Sequence, residues 1–315
     1  MSCYEFVQTL SVFVISIQLI FGVFRWIYGN VIGPKFLEPV NLRQYGSWAL
    51  VTGATDGIGK QYARSLAKRG LNVILVSRTL SKLESVAKEI SETFNVQTQV
   101  IAVDFTSGPE IYTQIQQQIS GKDIGILINN VGMFYPAPDF FLNIPDREKV
   151  IQDIIRCNVT AVPMMCNLIL PQMVQRKQGL IVNISSLLSV FPGPLATMYA
   201  ASKAFVSKFS NDLAAEYESQ GITVQVLVTG EVATNMNKQE GGTFSVPKAS
   251  QYVESALSYV GHARYTSGFL PHSLLAIIGQ LVTFIAPSLV ERLVTKNMLA
   301  VREKAIKRGS YKPGK

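Results

Sequence analysis

Trp48-Ala49-Leu50-Val51-Thr52-Gly53-Ala54-Thr55-Asp56-Gly57-Ile58-Gly59-Lys60 is the stretch that decides how this chain folds. A short apolar run leads directly into a turn holding three glycines, and a helical pattern takes over from Lys60 to Arg69. Glycine lets the backbone turn tightly and come close to a ligand. The helix that follows offers the positive end of its dipole and its unpaired N–H groups. Strand, glycine turn and helix in that order form the arrangement that cradles a dinucleotide pyrophosphate. Gly53, Thr55, Asp56, Gly57, Ile58 and Gly59 are the candidate lining of that cradle.

Outward from the turn the alternation continues. Strand-like runs are Trp48–Val51, Val73–Val76, Val100–Val103, Ile124–Ile128, Leu180–Ile184 and Val224–Val228. Helical patterns cover Lys60–Arg69, Leu83–Phe94, Arg147–Val174 and Tyr199–Tyr217. Unbroken Val/Ile/Leu runs suit strands covered on both faces, and strand–helix alternation predicts an α/β fold with a doubly wound parallel sheet, a Rossmann fold. No repeat or low-complexity linker interrupts the pattern, so one domain is expected over 46–270. Residues 1–45 are expected to be a membrane anchor and linker. Residues 271–315 are expected to be an amphipathic helix and a basic tail.

Phe6 to Phe24 holds 19 positions without a charge, about 28 Å as a helix and close to the hydrocarbon thickness of a bilayer. Arg25, Trp26 and Tyr28 follow, residue types that settle at the membrane interface. A cleaved signal peptide fits less well, because the start carries Glu5 and shows no clear small-residue cleavage site. Arg25, Lys35 and Arg43 come after the span and only Glu5 before it, which predicts a catalytic domain facing the cytosol. Ser273 to Val290 is also free of charge. Leu274, Ile277, Ile278, Leu281, Ile285 and Leu289 form one stripe there, and Ala276, Gly279, Gln280 and Thr283 another. Pro287 interrupts the segment, which is predicted to lie on a membrane or face a second subunit rather than span.

Of the 315 residues, 48% are hydrophobic and 16% charged, which excludes disordered, collagen-like and disulfide-stapled chains. The net charge of +8 is unevenly placed. From Glu291 onward eight basic residues against two acids carry +6, leaving +2 for the rest. A basic end beside an apolar segment suits anionic lipid. No basic face with interleaved aromatics is present, so nucleic acid is not an expected partner. Cys3, Cys157 and Cys166 have no metal-ligand spacing, and His262 and His272 lie near no cysteine cluster, so no metal site is expected.

The second strand ends in Ser77-Arg78-Thr79, with no carboxylate to bind a ribose 2′-hydroxyl. The guanidinium of Arg78 suits a 2′-phosphate instead, and predicts NADP(H) over NAD. A solvated strand end is the alternative role for this arginine.

Four features together make the chain resemble the classical short-chain dehydrogenase/reductases: the Thr52–Gly59 turn, Asn129-Asn130-Val131-Gly132, Ser186, and Tyr199-Ala200-Ala201-Ser202-Lys203. Thr52–Lys60, Gly125–Met133, Phe141-Leu142-Asn143-Ile144-Pro145-Asp146 and Asn183–Ser186 narrow the likeness. They look like the branch holding 17β-hydroxysteroid dehydrogenases of types 3 and 12 and the very-long-chain 3-oxoacyl-CoA reductases. The resemblance runs over about residues 46 to 306 and implies carbonyl–alcohol interconversion.

Tyr199 and Lys203, four apart on a predicted helix, share one face. A phenol with pKa near 10 exchanges protons poorly at neutral pH, and a neighbouring ammonium favours its phenolate. The resemblance implies that Tyr199 passes the proton to the carbonyl oxygen and that Lys203 also binds the nicotinamide ribose. Ser186, at the family's spacing before Tyr199, is implied to bind the same carbonyl oxygen and stabilise developing alkoxide. Ser185 is off by one. Asn158 matches the asparagine that holds a water of the proton relay. Asp104 resembles the acid at the adenine ring, Asn130 and Gly132 line the ribose, and Val232 and Thr234 fit the carboxamide positions. Thr229 stands where the family has proline and Glu231 where it has apolar residues, so this loop is expected to be less rigid.

The expected activity is NADP(H)-dependent interconversion of a ketone and a secondary alcohol on a lipid at the endoplasmic reticulum membrane. A steroid is the leading substrate and a 3-oxoacyl-CoA the alternative. A catalytically silent dinucleotide-binding scaffold is the rival from another class, disfavoured because Asn158, Ser186, Tyr199 and Lys203 are all present. Residues 235 to 263 are expected to form a mobile substrate cover, with Met236 and Phe244 lining it. The resemblance also implies a homodimer. Asn158-Val159-Thr160 and Asn183-Ile184-Ser185 match the glycosylation sequon, and both are read as coincidences.

Overall fold

The computed structural model describes residues 2–234 and 241–314. Helix α1, Cys3–Ile27, opens with a capping box in which Ser2 and Glu5 each accept the other's backbone N–H. Its apolar side chains, from Phe6 to Phe24, are exposed all round, and Phe24 stacks on Tyr28 one turn on, centroids 6.4 Å apart. Tertiary contact starts just beyond. A π turn at Tyr28–Ile32 leads into the short α2, Gly33–Phe36. The carbonyl of Asn30 accepts from the Tyr259 hydroxyl at 3.2 Å. Gly33 lies so close to His262 that a Cβ there would stand 2.7 Å from the His262 Cβ. Leu42 and Tyr45 are core residues. The segment expected to be a linker is therefore docked, and it holds the exit of α1 against the domain.

The alternating elements follow in order. They are β1 Trp48–Thr52, α3 Gly57–Lys68, β2 Asn72–Ser77, α4 Leu80–Phe94, β3 Thr98–Ala102, α5 Glu110–Ile119 and β4 Ile124–Asn129. After them come α6 Arg147–Ile154, α7 Ala161–Arg176, β5 Gly179–Ser186, α8 Thr197–Tyr217, β6 Ile222–Thr229, α9 Ala249–Ser258 and β7 Tyr265–Thr266. Among the described residues the seven strands form one sheet in the order β3-β2-β1-β4-β5-β6-β7, with every pairing parallel. The expected doubly wound Rossmann sheet is present, with β7 added at one edge.

The period of two along each strand divides the core. Ala49, Val51, Val73, Leu75, Ile126 and Ile128 face α3, α4 and α9, while Leu50, Ile74, Val76, Leu127 and Ile181 face α5 and α7. Leu50, Ile74 and Leu75 are fully buried, each contributing about 1.5–3 kcal/mol by leaving water.

Three expectations change. The Arg147–Val174 stretch is not one α-helix, because a π turn at Ile155–Thr160 separates α6 from α7. The supposed cover is largely ordered scaffold: α9 lies inside it, with Tyr252, Val253, Ala256 and Leu257 buried. Met236 lies outside the described residues, and Phe244 is 74% exposed. The basic tail is mostly helical. Helix α10, Leu270–Ile285, is followed by α11, Pro287–Lys307, which Pro287 begins at a position where proline costs no hydrogen bond.

Candidate active site

The carboxyl ends of β1 and β4 adjoin where the strand order reverses, which is where an open α/β sheet leaves a crevice. The Thr52 hydroxyl joins them: it accepts from the N–H groups of Asn130 and Val131, both at 3.0 Å, and donates to the Ile128 carbonyl at 3.3 Å. The Asn130 amide donates back to the carbonyls of Thr52 and Gly53, at 3.0 and 3.2 Å. Gly53 and Gly57 take φ of +65° and +52°, the left-handed region. At Gly59 a Cβ would stand 2.3 Å from the Gly53 carbonyl oxygen, so the turn closes only without a side chain. Asp56 caps α3 by accepting from the Gly57 N–H at 2.7 Å.

These features fit a dinucleotide. The glycine cradle sits at the start of α3, and the Thr55 hydroxyl bonds that of Ser77 at 3.1 Å, joining the turn to the end of β2. Arg78 is exposed next along. Asp104 accepts from the N–H and hydroxyl of Thr106, at 2.9 and 2.8 Å. Burial raises its pKa, but those bonds and the fields of Arg78 and Lys149 prevail and hold it below the usual carboxylate range. Arg78 and Asp104 thus stand near one another, opposite in sign.

Farther along the same edge lie the proton-transfer candidates. Tyr199 and Lys203 share one face of α8, with the ammonium 5.8 Å from the centre of the phenol ring. Phe134 abuts that ring edge-on, centroids 4.9 Å apart. Burial raises the pKa of Tyr199, and a hydrogen bond with Ser186 opposes the rise. The serine is thus one group that pulls the phenol back toward its ordinary value. Lys203 donates to the Ile184 carbonyl at 2.8 Å, and burial lowers its own pKa to about 8. Ser185 turns the other way, donating to the Lys203 carbonyl at 2.9 Å.

Asn158 sits in the π turn. Its oxygen accepts from the Met133 N–H at 2.8 Å, and its nitrogen donates to the Met133 carbonyl at 2.9 Å and to the Ser202 hydroxyl at 3.0 Å. Gly132 lies beneath: a Cβ there would stand 3.3 Å from the Lys203 nitrogen and 3.5 Å from the Asn158 oxygen. Asn158, Gly132, Ser186, Tyr199 and Lys203 are thus gathered in one place. Asn158 and Asn183 are buried, so neither sequon asparagine is accessible in the folded chain.

The loop after β6 returns over the glycine turn. Val232 is buried, and a Cβ on Gly57 would meet the Thr234 methyl at 2.8 Å. Thr229 is tied down where this loop begins. Its hydroxyl donates to the Ser185 carbonyl at 3.1 Å, an anchor that proline lacks. Two supports were missed in the sequence: Asn129, whose amide donates to Asn183 at 2.9 Å, and Tyr135, whose hydroxyl accepts from the Met198 N–H at 2.7 Å. Asn129 lay inside a recognised motif. Tyr135 carried no local signal.

The family described as short chain dehydrogenase matches residues 47–243. The chain belongs to that family. It is 44% identical over 263 residues to a very-long-chain 3-oxoacyl-CoA reductase of Anas platyrhynchos, covering 84% of this chain and 83% of the relative. It is 42% identical over 269 residues to hydroxysteroid dehydrogenase-like protein 1 of Gallus gallus, covering 84% and 80%. A short-chain dehydrogenase from Sphingobium yanoikuyae, solved in complex with NADPH, superposes with a TM-score of 0.61 at 30% identity, over 67% of this chain and 83% of that one. This short-chain dehydrogenase is an NADP(H)-dependent oxidoreductase.

Proposed function

We propose that this enzyme reduces 3-oxoacyl-CoA of very long chain at the endoplasmic reticulum membrane. Kinship over more than four-fifths of the chain with a reductase of that name carries the reading. Bound at the turn, NADP(H) supplies or accepts the hydride. Gly53, Thr55, Asp56, Gly57, Ile58 and Gly59 bind its pyrophosphate, Arg78 its 2′-phosphate, and Asp104 its adenine. Asn130, Gly132 and Lys203 hold its ribose, and Val232 and Thr234 its carboxamide. Tyr199 donates its phenolic proton to the substrate's carbonyl oxygen. Ser186 hydrogen-bonds that same oxygen, and Lys203 and Asn158 replenish the proton.

Support for the membrane comes from α1, whose 25 residues extend about 37 Å and show apolar side chains on every side. Lys35 and Arg43 follow on the domain side and favour a cytosolic orientation.

The steroid substrate, leading from the sequence, becomes the second reading; the relative named hydroxysteroid dehydrogenase-like protein 1 favours it. NADPH oxidation by the full-length enzyme in detergent, with a very-long-chain 3-oxoacyl-CoA and a 17-ketosteroid side by side, separates the two. We expect kcat/KM to favour the acyl-CoA at least tenfold and Tyr199→Phe to lose a factor of about 10² or more. A reversed preference would move the assignment to steroids. Failure of the wild type on both would sink both readings.

A further inference from the structure

Three segments meet on one buried imidazole. His272, in the first turn of α10, is fully enclosed, its ring between Tyr252 of α9 at 5.9 Å and Phe269 at 5.2 Å. Nδ1 lies 3.2 Å from the backbone nitrogen of Gly230, and Nε2 lies 3.0 Å from the carbonyl oxygen of Ser245. A backbone N–H can only donate and a carbonyl can only accept. One state satisfies both: proton on Nε2, lone pair on Nδ1, ring neutral. Gly230 is suited to this contact, because a Cβ there would stand 2.7 Å from a ring carbon.

Gly230 begins the loop that ends at Thr234, over the glycine turn. Within that loop the Ala233 N–H donates to the Pro247 carbonyl at 3.0 Å. The imidazole therefore fixes one end of the loop and a backbone carbonyl holds the middle.

We infer that His272 is a positioning residue for NADP(H): neutral, it sets the loop from Gly230 to Thr234 against the glycine turn, and protonation releases Gly230. The inference rests on that loop forming part of the cofactor site. A proton on Nδ1 would point at the Gly230 N–H, donor against donor, and the bond would be lost. Around the ring, burial opposes the cation and keeps the pKa below 6.5, outweighing the Ser245 carbonyl, a backbone hydrogen bond with Glu231 and the Glu231 carboxylate, which all favour it. Tyr252 is buried and un-ionised, donating to the Ser267 carbonyl at 3.0 Å. Helix α10 carries no charged residue.

Two measurements on the full-length enzyme in detergent test this. The first is amide hydrogen exchange without cofactor, corrected for intrinsic rates. Protection of Gly230 should fall as pH drops below about 6.5, while that of Ala233, held by a carbonyl, should not. Parallel behaviour of the two amides would overturn the inference without recourse to any variant. The second is NADPH binding by fluorescence from pH 7.5 to 5.5. His272→Asn puts a non-titrating amide oxygen near the place of Nδ1, and His272→Phe keeps the ring without either bond. Wild-type Kd should rise more steeply than that of His272→Asn as pH falls below 6.5, and His272→Phe should bind at least tenfold more weakly at pH 7.5. Superimposable curves for all three proteins would refute the positioning role. Absence of wild-type NADPH binding at pH 7.5 would instead remove the cofactor reading beneath it.

Discussion

Lys203 keeps an ammonium where burial penalises it. Its pKa falls to about 8 from an ordinary 10.5, with desolvation outweighing the field of Cys157. Burial pushes the Cys157 thiol itself up to about 12, so it stays protonated beside the lysine. The linkage has a definite sign. Between pH 8 and 10.5 the unfolded chain binds a proton at this lysine that the folded chain does not, so stability from this site rises with pH across that window. Lys203→Met has no such group. Urea unfolding of wild type and variant should therefore diverge in favour of wild type as pH rises, by at most about 3 kcal/mol. A difference that stayed flat from pH 7.5 to 10 would contradict the assigned pKa. The residue thus lowers stability near neutrality, as functional side chains in apolar surroundings do.

At the scale of elements, the π turn between α6 and α7 is the feature that brings Asn158 to the site. An extra residue in the turn shifts the helix face, and such bulges recur where a side chain must reach a functional position. Its amide spans both backbone groups of Met133, just past the Asn129–Gly132 motif. Asn158→Ala would leave the Met133 N–H and carbonyl without these partners, at a cost of about 1–3 kcal/mol for each group left dry. We expect a stability loss of about 2–4 kcal/mol by denaturant titration. A loss under about 0.5 kcal/mol would mean that water takes over the clamp. Helix α10 shows a different inversion. Gly279 and Thr283, on its small-residue stripe, are part-buried, and a Cβ on Gly279 would stand 2.5 Å from the Phe191 ring. The apolar stripe faces outward, with Ile278, Leu281 and Ile285 exposed.

Across the whole molecule, the C-terminal end closes back on the catalytic domain. Arg302 of α11 donates through Nε to Asp139 at 2.7 Å, and the Tyr311 hydroxyl donates to the other carboxylate oxygen at 2.7 Å. The Asp139 side chain has no exposure, and its pKa is lowered: burial opposes this, and the bonds from Arg302, Tyr311 and the Phe140 N–H outweigh it. The Asp139 N–H donates to the carbonyl of Leu195, which takes φ +62° just before α8. A path of bonded neighbours thus joins the last residues to the start of the helix carrying Tyr199. Arg302→Met should cost about 3–5 kcal/mol, because it strands a buried carboxylate. Tyr311→Phe should cost about 1 kcal/mol. Thermal unfolding of both variants checks this, and equal small shifts would show that the clasp is a solvated surface pair.

Strand–helix alternation and the glycine turn were legible because period and backbone freedom are local properties of the chain. The order Gly53–Gly59, Ser186, Tyr199, Lys203 was legible through spacing, and the structure gathers these residues at one sheet edge. Two-residue β7 and the π turn were hidden, since neither leaves a period long enough to read. His272 and Asp139 were hidden for another reason. Each is one polar residue that meets partners as far as 27 to 172 positions away, and no local pattern marks such a meeting. The basic residues after Glu291 announced a charged end, but not that Arg302 would pair, part-buried, with Asp139. Sequence alone determined the fold and its glycine turn and pointed to the candidate proton-transfer residues, because each depends on nearest neighbours and regular spacing. Tertiary structure alone decided which groups hold those residues in place, because burial and hydrogen-bond partners exist only once distant segments have packed.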